Sequence, residues 1–310
     1  MRLYIIIVLY MNQSIDFVIP LHKNNIIFRT TIESIVENYK PTNIYIITNA
    51  NSIQEICNHY KEWNIASTNL FFVDESTFFL EKFHMHKDDI EKMYSFIDEN
   101  SREFGWWYQQ ILKLGAFQII KHLSNPYIVW DSDLIVLDRW ELYPCETVPF
   151  FQFAILQENA KNQWNQDEYY NSIKYLLGLD AAEPEKGTFV PHHFIFYHTI
   201  LSSFFLEIEK KHEMNWIECI MRLSKSHYRF SEYKCIATYM KSAFAEYLHY
   251  HTFDEYGKRG IRYRNCEEIL SKIYEYCLVD KYGLSYSEMN HFINNYYHVK
   301  PSYIQLEHVI

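Results

Sequence analysis

The chain has 310 residues, 48% of them apolar and 22% charged, so one large domain, or a domain with an appendage, can bury a full core. A formal charge of −10 leaves no basic footprint for general nucleic-acid binding, although a few local cations would suffice to hold a nucleotide. Six cysteines, at 57, 145, 219, 235, 266 and 277, form no CxxC pair, and such scattered reduced thiols predict a cytoplasmic protein.

Residues 3–11 are an apolar run too short for the roughly 20 residues of a membrane span, and they read as a strand or a lead-in. Residues 15–20 predict a first buried strand closed by Pro20, followed by a helix over 30–38. A second strand is expected at 43–49, a helix at 51–63, a third strand at 70–75, a helix at 105–114 and a further strand at 127–130. Beyond these come strand candidates at 150–156 and 189–197, helices at 160–178 and 199–224, and a helix opened by Ser231 as N-cap with Glu232 in its first turn. After about residue 255 the chain turns charged and then amphipathic and helical.

Strands alternating with helices at this spacing predict a mostly parallel α/β sheet. Ligands collect at the carboxyl ends of such strands. Pro20, His22, Lys23, Asn49, Asp74, Glu75, Asp131 and Asp133 all fall there.

Asp131 and Asp133 stand one residue apart where an apolar strand stops. In an extended chain they would project to the same side, repelling each other but offering a seat for a divalent cation with positions open to phosphate oxygens. A calcium EF-hand loop fits badly, because Ile135 and Val136 occupy places that need a ligand and a glycine. A phosphatase of the haloacid dehalogenase type fits badly too, because its motif continues differently and stands near the N-terminus. Trp106, Gln109, Gln110 and Lys113 share one helical face, which could meet sugar hydroxyls or phosphate. His192 and His193 precede an apolar strand; adjacent strand residues face opposite ways, so one would face the site and the other the wall. The pairs His84/His86 and His249/His251 lack the further ligands of a zinc site and read as surface histidines. Glu232 is either a capping charge or a general base. His298 could be a third metal ligand and Lys300 a phosphate partner.

Five segments occur in order: Asp16-Phe17-Val18-Ile19-Pro20; Gly105-Trp106 with Gln109-Gln110 and Leu112-Lys113-Leu114; Asp131-Ser132-Asp133; Val190-Pro191-His192-His193-Phe194; and Phe230-Ser231-Glu232-Tyr233. Together they resemble a group of uncharacterised bacterial and viral glycosyltransferases with the GT-A fold, over about residues 15–240. The closing His298-Val299-Lys300-Pro301 is more loosely similar to the segment of glycogenin-like enzymes whose His binds manganese and whose Lys binds a phosphate. Lys234 stands where the family pattern commonly has a second acid, leaving Glu232 as the candidate acid there.

The resemblance implies a single GT-A domain over 1–255, with a nucleotide-sugar half at about 12–155 and an acceptor half at 156–255. A helical segment, 256–310, would close the site. It implies transfer of a sugar from a nucleotide-diphosphate sugar, UDP-sugar favoured, to a hydroxyl of a glycan or related acceptor. Asp131, Asp133 and His298 would hold Mn²⁺ or Mg²⁺. Pro20, His22, Asn49, Trp106, Gln110, Lys113, Asp131, Ser132 and Lys300 would line the donor site. His192 and His193 would line the acceptor side, and Glu232 would act as base with inversion. A metal-dependent phosphoryl-transfer or hydrolytic enzyme, and a non-catalytic glycan-binding protein, are the competing classes.

Overall fold

The computed structural model of the chain describes residues 15–65, 67–95, 104–158, 166–223 and 227–307. The expected element at 3–11, and the start of the one at 160–178, lie outside the described residues. The first half of the chain runs β1 (Phe17–Pro20), α1 (Phe28–Tyr39), β2 (Asn43–Thr48), α2 (Ala50–Cys57), β3 (Asn69–Asp74), α3 (Leu80–Phe83), α4 (Lys87–Ser95), α5 (Phe104–Ile119), β4 (Tyr127–Trp130), β5 (Leu134–Val136) and β6 (Phe153–Ala154). The second half runs α6 (Gln166–Leu177), β7 (His193–Phe196), α7 (His198–His212), α8 (Trp216–Met221), α9 (Glu232–Ala243), β8 (Tyr250–His251), β9 (Ile261–Tyr263), α10 (Glu267–Tyr276), β10 (Val279–Asp280), β11 (Gly283–Leu284), α11 (Tyr286–Tyr296) and β12 (Tyr303–Leu306).

The expected mixed α/β architecture holds: a central, mostly parallel sheet is flanked by helices. Its order is β3-β2-β1-β4-β7, with the first four strands parallel and β7 antiparallel to β4. β1, β4 and β7 are buried along their whole length because helices cover both faces. Alternation along these strands divides the core. Val18, Tyr127, Val129, Phe194 and Phe196 pack with α5, α7 and α9 on one face. Phe17, Ile19, Ile128, Trp130 and Ile195 pack with α1 on the other.

Segment 256–310 is not simply helical. β12 inserts between β5, to which it is antiparallel, and β9, to which it is parallel. Ile304 and Leu306 of this strand join Ile135, Leu137, Ile273, Met289 and Ile293 in a third core. Several other expected elements are shorter than their apolar runs. The helix at 199–224 is split, because Glu213 adopts a left-handed φ of 55° and Asn215 caps a new helix through Ile217 N. The strand at 189–197 begins only at His193, because His192 is also left-handed, with φ 59°. The strand at 150–156 contracts to Phe153–Ala154.

Candidate active site

β4 ends at Trp130 and β5 begins at Leu134, so Asp131-Ser132-Asp133 is the link between the main sheet and the second sheet. The link is a tight turn and not the extended stretch expected from alternation. Leu134 N–H donates to Asp131 O at 3.2 Å, and the Trp130 indole N–H donates to Leu134 O at 2.8 Å. Thr31 on α1 pins the turn by donating its hydroxyl to Ser132 O at 2.9 Å. The two carboxylates consequently meet different partners.

Asp131 sits at the centre of a charged network. Its Oδ1 accepts from Lys113 Nζ at 2.6 Å and from the Tyr233 hydroxyl at 2.9 Å, and its Oδ2 meets His192 Nδ1 at 2.9 Å. Burial alone would protonate it, but Lys113 and His192 outweigh burial and hold the carboxyl well below the usual range. The same lysine donates to Glu232 Oε1 at 2.7 Å and to Tyr233 Oη at 2.9 Å, and its ammonium lies 4.6 Å from the Tyr233 ring centre. Burial opposes the charge of Lys113, which is only 3% exposed, yet Asp131 and Glu232 prevail and hold its pKa above the ordinary lysine range. Glu232 is raised by burial, with Lys113 opposing. Ser231 caps α9 by accepting from Lys234 N, and Gln110 Oε1 accepts from Glu232 N at 3.1 Å, so the helix start is tied to α5.

Asp133 has a poorer environment. Its only polar side-chain contact among the described residues is Gln305 Nε2 on β12, at 3.5 Å. Burial, and then the charge of Asp131, push its carboxyl up to about 7. Leu306 N–H donates to Asp133 O at 3.1 Å, so β12 runs directly past this carboxylate.

The two histidines diverge. The left-handed backbone of His192 turns its carbonyl to Asp131 N, at 2.9 Å, and its ring to the Asp131 carboxylate. The Gln157 side-chain amide lies 3.0 Å from His192 Nε2 and also donates to Val190 O. One NH₂ group serves both, so Nε2 accepts and Nδ1–H donates to Asp131. His193 is fully buried beside Trp130 and Trp140, with ring centres 5.1 and 4.9 Å away. Its Nε2 accepts from Ala154 N and its Nδ1 donates to Pro191 O. It is a wall residue, with no face open to an acceptor.

Residues 6–272 match a family of unknown function, DUF6492. The chain belongs to this family. No curated protein matches it. Among solved structures it is similar to mouse xyloside xylosyltransferase 1 in its apo form, at 12% identity over 94% of this chain and 97% of that one, with a TM-score of 0.49. It is also similar to the PaToxG glycosyltransferase, at 9% identity over 88% and 80% of the chains and TM-score 0.38. An active-site mutant of LgtC matches at 9% identity over 94% and 87%, with TM-score 0.39.

In this DUF6492 member the other expected site residues fall into three groups. Pro20, His22 and Asn49 stand with Asp131 along the carboxyl edge of the parallel strands; Asn49 caps α2 and donates to His22 O at 2.7 Å. Trp106 and Gln110 lie on α5 ahead of Lys113, with Gln110 linking Glu232 N to Trp106 O. His298 and Lys300 are exposed and make no described polar contact, because α11 and β12 leave them on a surface connection. The C-terminal groups that approach Asp133 are instead Gln305 and Glu307. Among the described residues, no three His, Cys, Asp or Glu side chains are grouped to hold a metal ion. His249 is half-buried and stacks on Phe150, whereas His251, expected at the surface, is buried and bonds Glu141 O through its Nε2. Sequence reasoning passed over Tyr233 as a partner of Asp131, although it adjoins Glu232 in the Ser-Glu-Tyr motif. Gln157 and Gln305 carried no local signal. No helix among the described residues is long and apolar enough to cross a membrane.

Proposed function

We propose that the chain is a metal-dependent glycosyltransferase of the GT-A type. It would move a sugar from a nucleotide-diphosphate sugar, UDP-sugar favoured, to a hydroxyl of a glycan or related acceptor. The carrying observation is the unequal pair Asp131 and Asp133 just past the carboxyl end of β4. Lys113 answers the charge of Asp131. Among the described residues no lysine or arginine pairs with Asp133, and burial, then the charge of Asp131, push its carboxyl up to about 7.

A hard divalent cation fits that deficit. Asp133 would ligate Mn²⁺ or Mg²⁺, helped by the lone pair of Asp131 Oδ2 that is left beyond the His192 contact. Waters and donor phosphates would fill the remaining shell, which suits a site with few protein ligands. The cation, when bound, would neutralise charge on the departing diphosphate. Lys113, Tyr233 and His192 fix the Asp131 carboxylate, so its orientation costs nothing during the reaction. Ser132, Pro20, His22 and Asn49 border the donor side.

Glu232 is the proposed base. Burial raises the proton affinity of this carboxylate, with Lys113 opposing, and a carboxylate raised in this way is the better proton acceptor. The acceptor O–H proton would pass to Glu232. The acceptor oxygen would bond the anomeric carbon, and the bond from that carbon to the phosphate oxygen would break, its electron pair leaving with the nucleoside diphosphate. This predicts inversion. Retention is the second reading, favoured by the 4% exposure of Glu232 and by Lys113 occupying Oε1. Incubation with UDP-sugars and Mn²⁺, with the anomeric configuration read by NMR, separates the two. Turnover of phosphate esters without any nucleotide-sugar turnover would count for the phosphoryl-transfer class instead.

A further inference from the structure

A second polar-aromatic cluster lies at the head of α5. Along this helix the order is Trp106, Gln110, Lys113, and the groups they meet run Arg229, Glu232, Asp131. Lys113 Nζ meets the carboxylates of both Asp131 and Glu232, and the seven residues from Trp106 to Lys113 span about 10 Å of helix, so the cluster lies about that far along α5 from the two carboxylates.

Trp107, almost fully buried, stacks on Phe230 and locks the first turn of α5, which leaves Trp106 half-exposed. Arg229 lies 5.6 Å from the Trp106 ring centre and is itself held by Glu168, at 3.2 Å. The Tyr169 ring centre is 6.4 Å from that of Trp106. The Tyr169 phenol lies beside Arg229 and near enough to Glu232 to feel its charge. Gln109 shares the Trp106 face and is also half-exposed. Rings with an apolar body and a polar tip, beside an amide, suit a ligand with C–H faces and hydroxyl edges.

We propose that Trp106, Gln109, Tyr169 and Arg229 form the acceptor subsite and take a pyranose ring of a glycan. This rests on the glycosyltransferase reading, and it moves Trp106 from the donor side to the acceptor side. Glu232 is then reached from the subsite through Gln110, which bonds its backbone N–H, while its carboxylate shares Lys113 with Asp131.

The test uses the full chain and two probes: UDP with Mn²⁺, followed by thermal shift, and a panel of methyl hexopyranosides and pentopyranosides, followed by saturation-transfer NMR. Trp106→Leu and the milder Gln109→Ala should each weaken glycoside binding, by roughly tenfold for the aromatic change. The UDP shift should stay at the wild-type value. Where transfer is measured, acceptor KM should rise far more than kcat falls. Glycoside binding that is absent from the wild type, or equal in both variants, overturns the subsite while a UDP shift keeps the transferase reading alive. Glycosides that bind and are lost in Trp106→Leu, with no UDP shift, leave the subsite standing and sink the UDP-sugar donor reading.

Discussion

Nζ of Lys113 lies 2.7 Å from Oε1 of Glu232, joining residues 119 apart in the chain. The same ammonium serves Asp131 at 2.6 Å, so one buried cation answers two carboxylates. Replacing Lys113 by Met should therefore destabilise the protein by roughly 3–5 kcal/mol, the cost of stranding buried charge. The measurement is the urea midpoint at constant slope. Adding Glu232→Gln to Lys113→Met should recover part of the loss, and strictly additive effects would show that the pair is not coupled.

Glu232→Gln by itself keeps an oxygen that accepts from Lys113, so the fold should survive. Transfer should fall by roughly 10²–10⁴-fold if a general base is lost, with UDP binding retained. Full transfer activity in this variant would remove Glu232 from the mechanism.

Cation binding at Asp133 should depend on pH. Its carboxyl is pushed up to about 7, and a cation must displace that proton. Affinity for Mn²⁺ should rise between about pH 6 and pH 8, with proton release at the lower pH visible as buffer-dependent heat in calorimetry. Without metal the linkage has a definite sign. The folded value exceeds that of an unfolded aspartate, so this group's contribution to stability is lost as pH rises through about 7. Asp133→Ala should abolish Mn²⁺-dependent UDP binding; calorimetric titrations that match the wild type would refute the site.

His193 should act in the opposite direction. Burial lowers its value to about 3, against 6.5 for a free imidazole. A depressed histidine contributes stability that is complete above about pH 6.5 and is lost as pH falls toward about 3. The loss should reach a few kcal/mol over that window, since each pH unit of difference corresponds to about 1.4 kcal/mol. His193→Gln can accept from Ala154 N and donate to Pro191 O, so it should fold and show a flatter slope of stability against pH between about 4 and 6.5. An unchanged slope would mean that another group titrates there.

The sequence by itself determined what is local. Apolar runs ending on proline, asparagine or aspartate marked β1, β2 and β4, because a strand buried on both faces must be apolar throughout. The same runs put Asp131 at a carboxyl edge, and Ser231 announced the start of α9 through its capping chemistry. His192 and His193 do part ways, but not by strand alternation, because His192 lies outside β7. Tertiary structure decided that through the left-handed backbone of His192. It also decided that the Asp-x-Asp segment is a turn between two sheets, that β12 carries Gln305 to Asp133, and that His298 stays outside. Charge pairing is the deeper reason. Periodicity reports only neighbours within a few residues, whereas Lys113 meets Asp131 and Glu232 because three separate elements pack there and a buried ammonium must find its counter-charges.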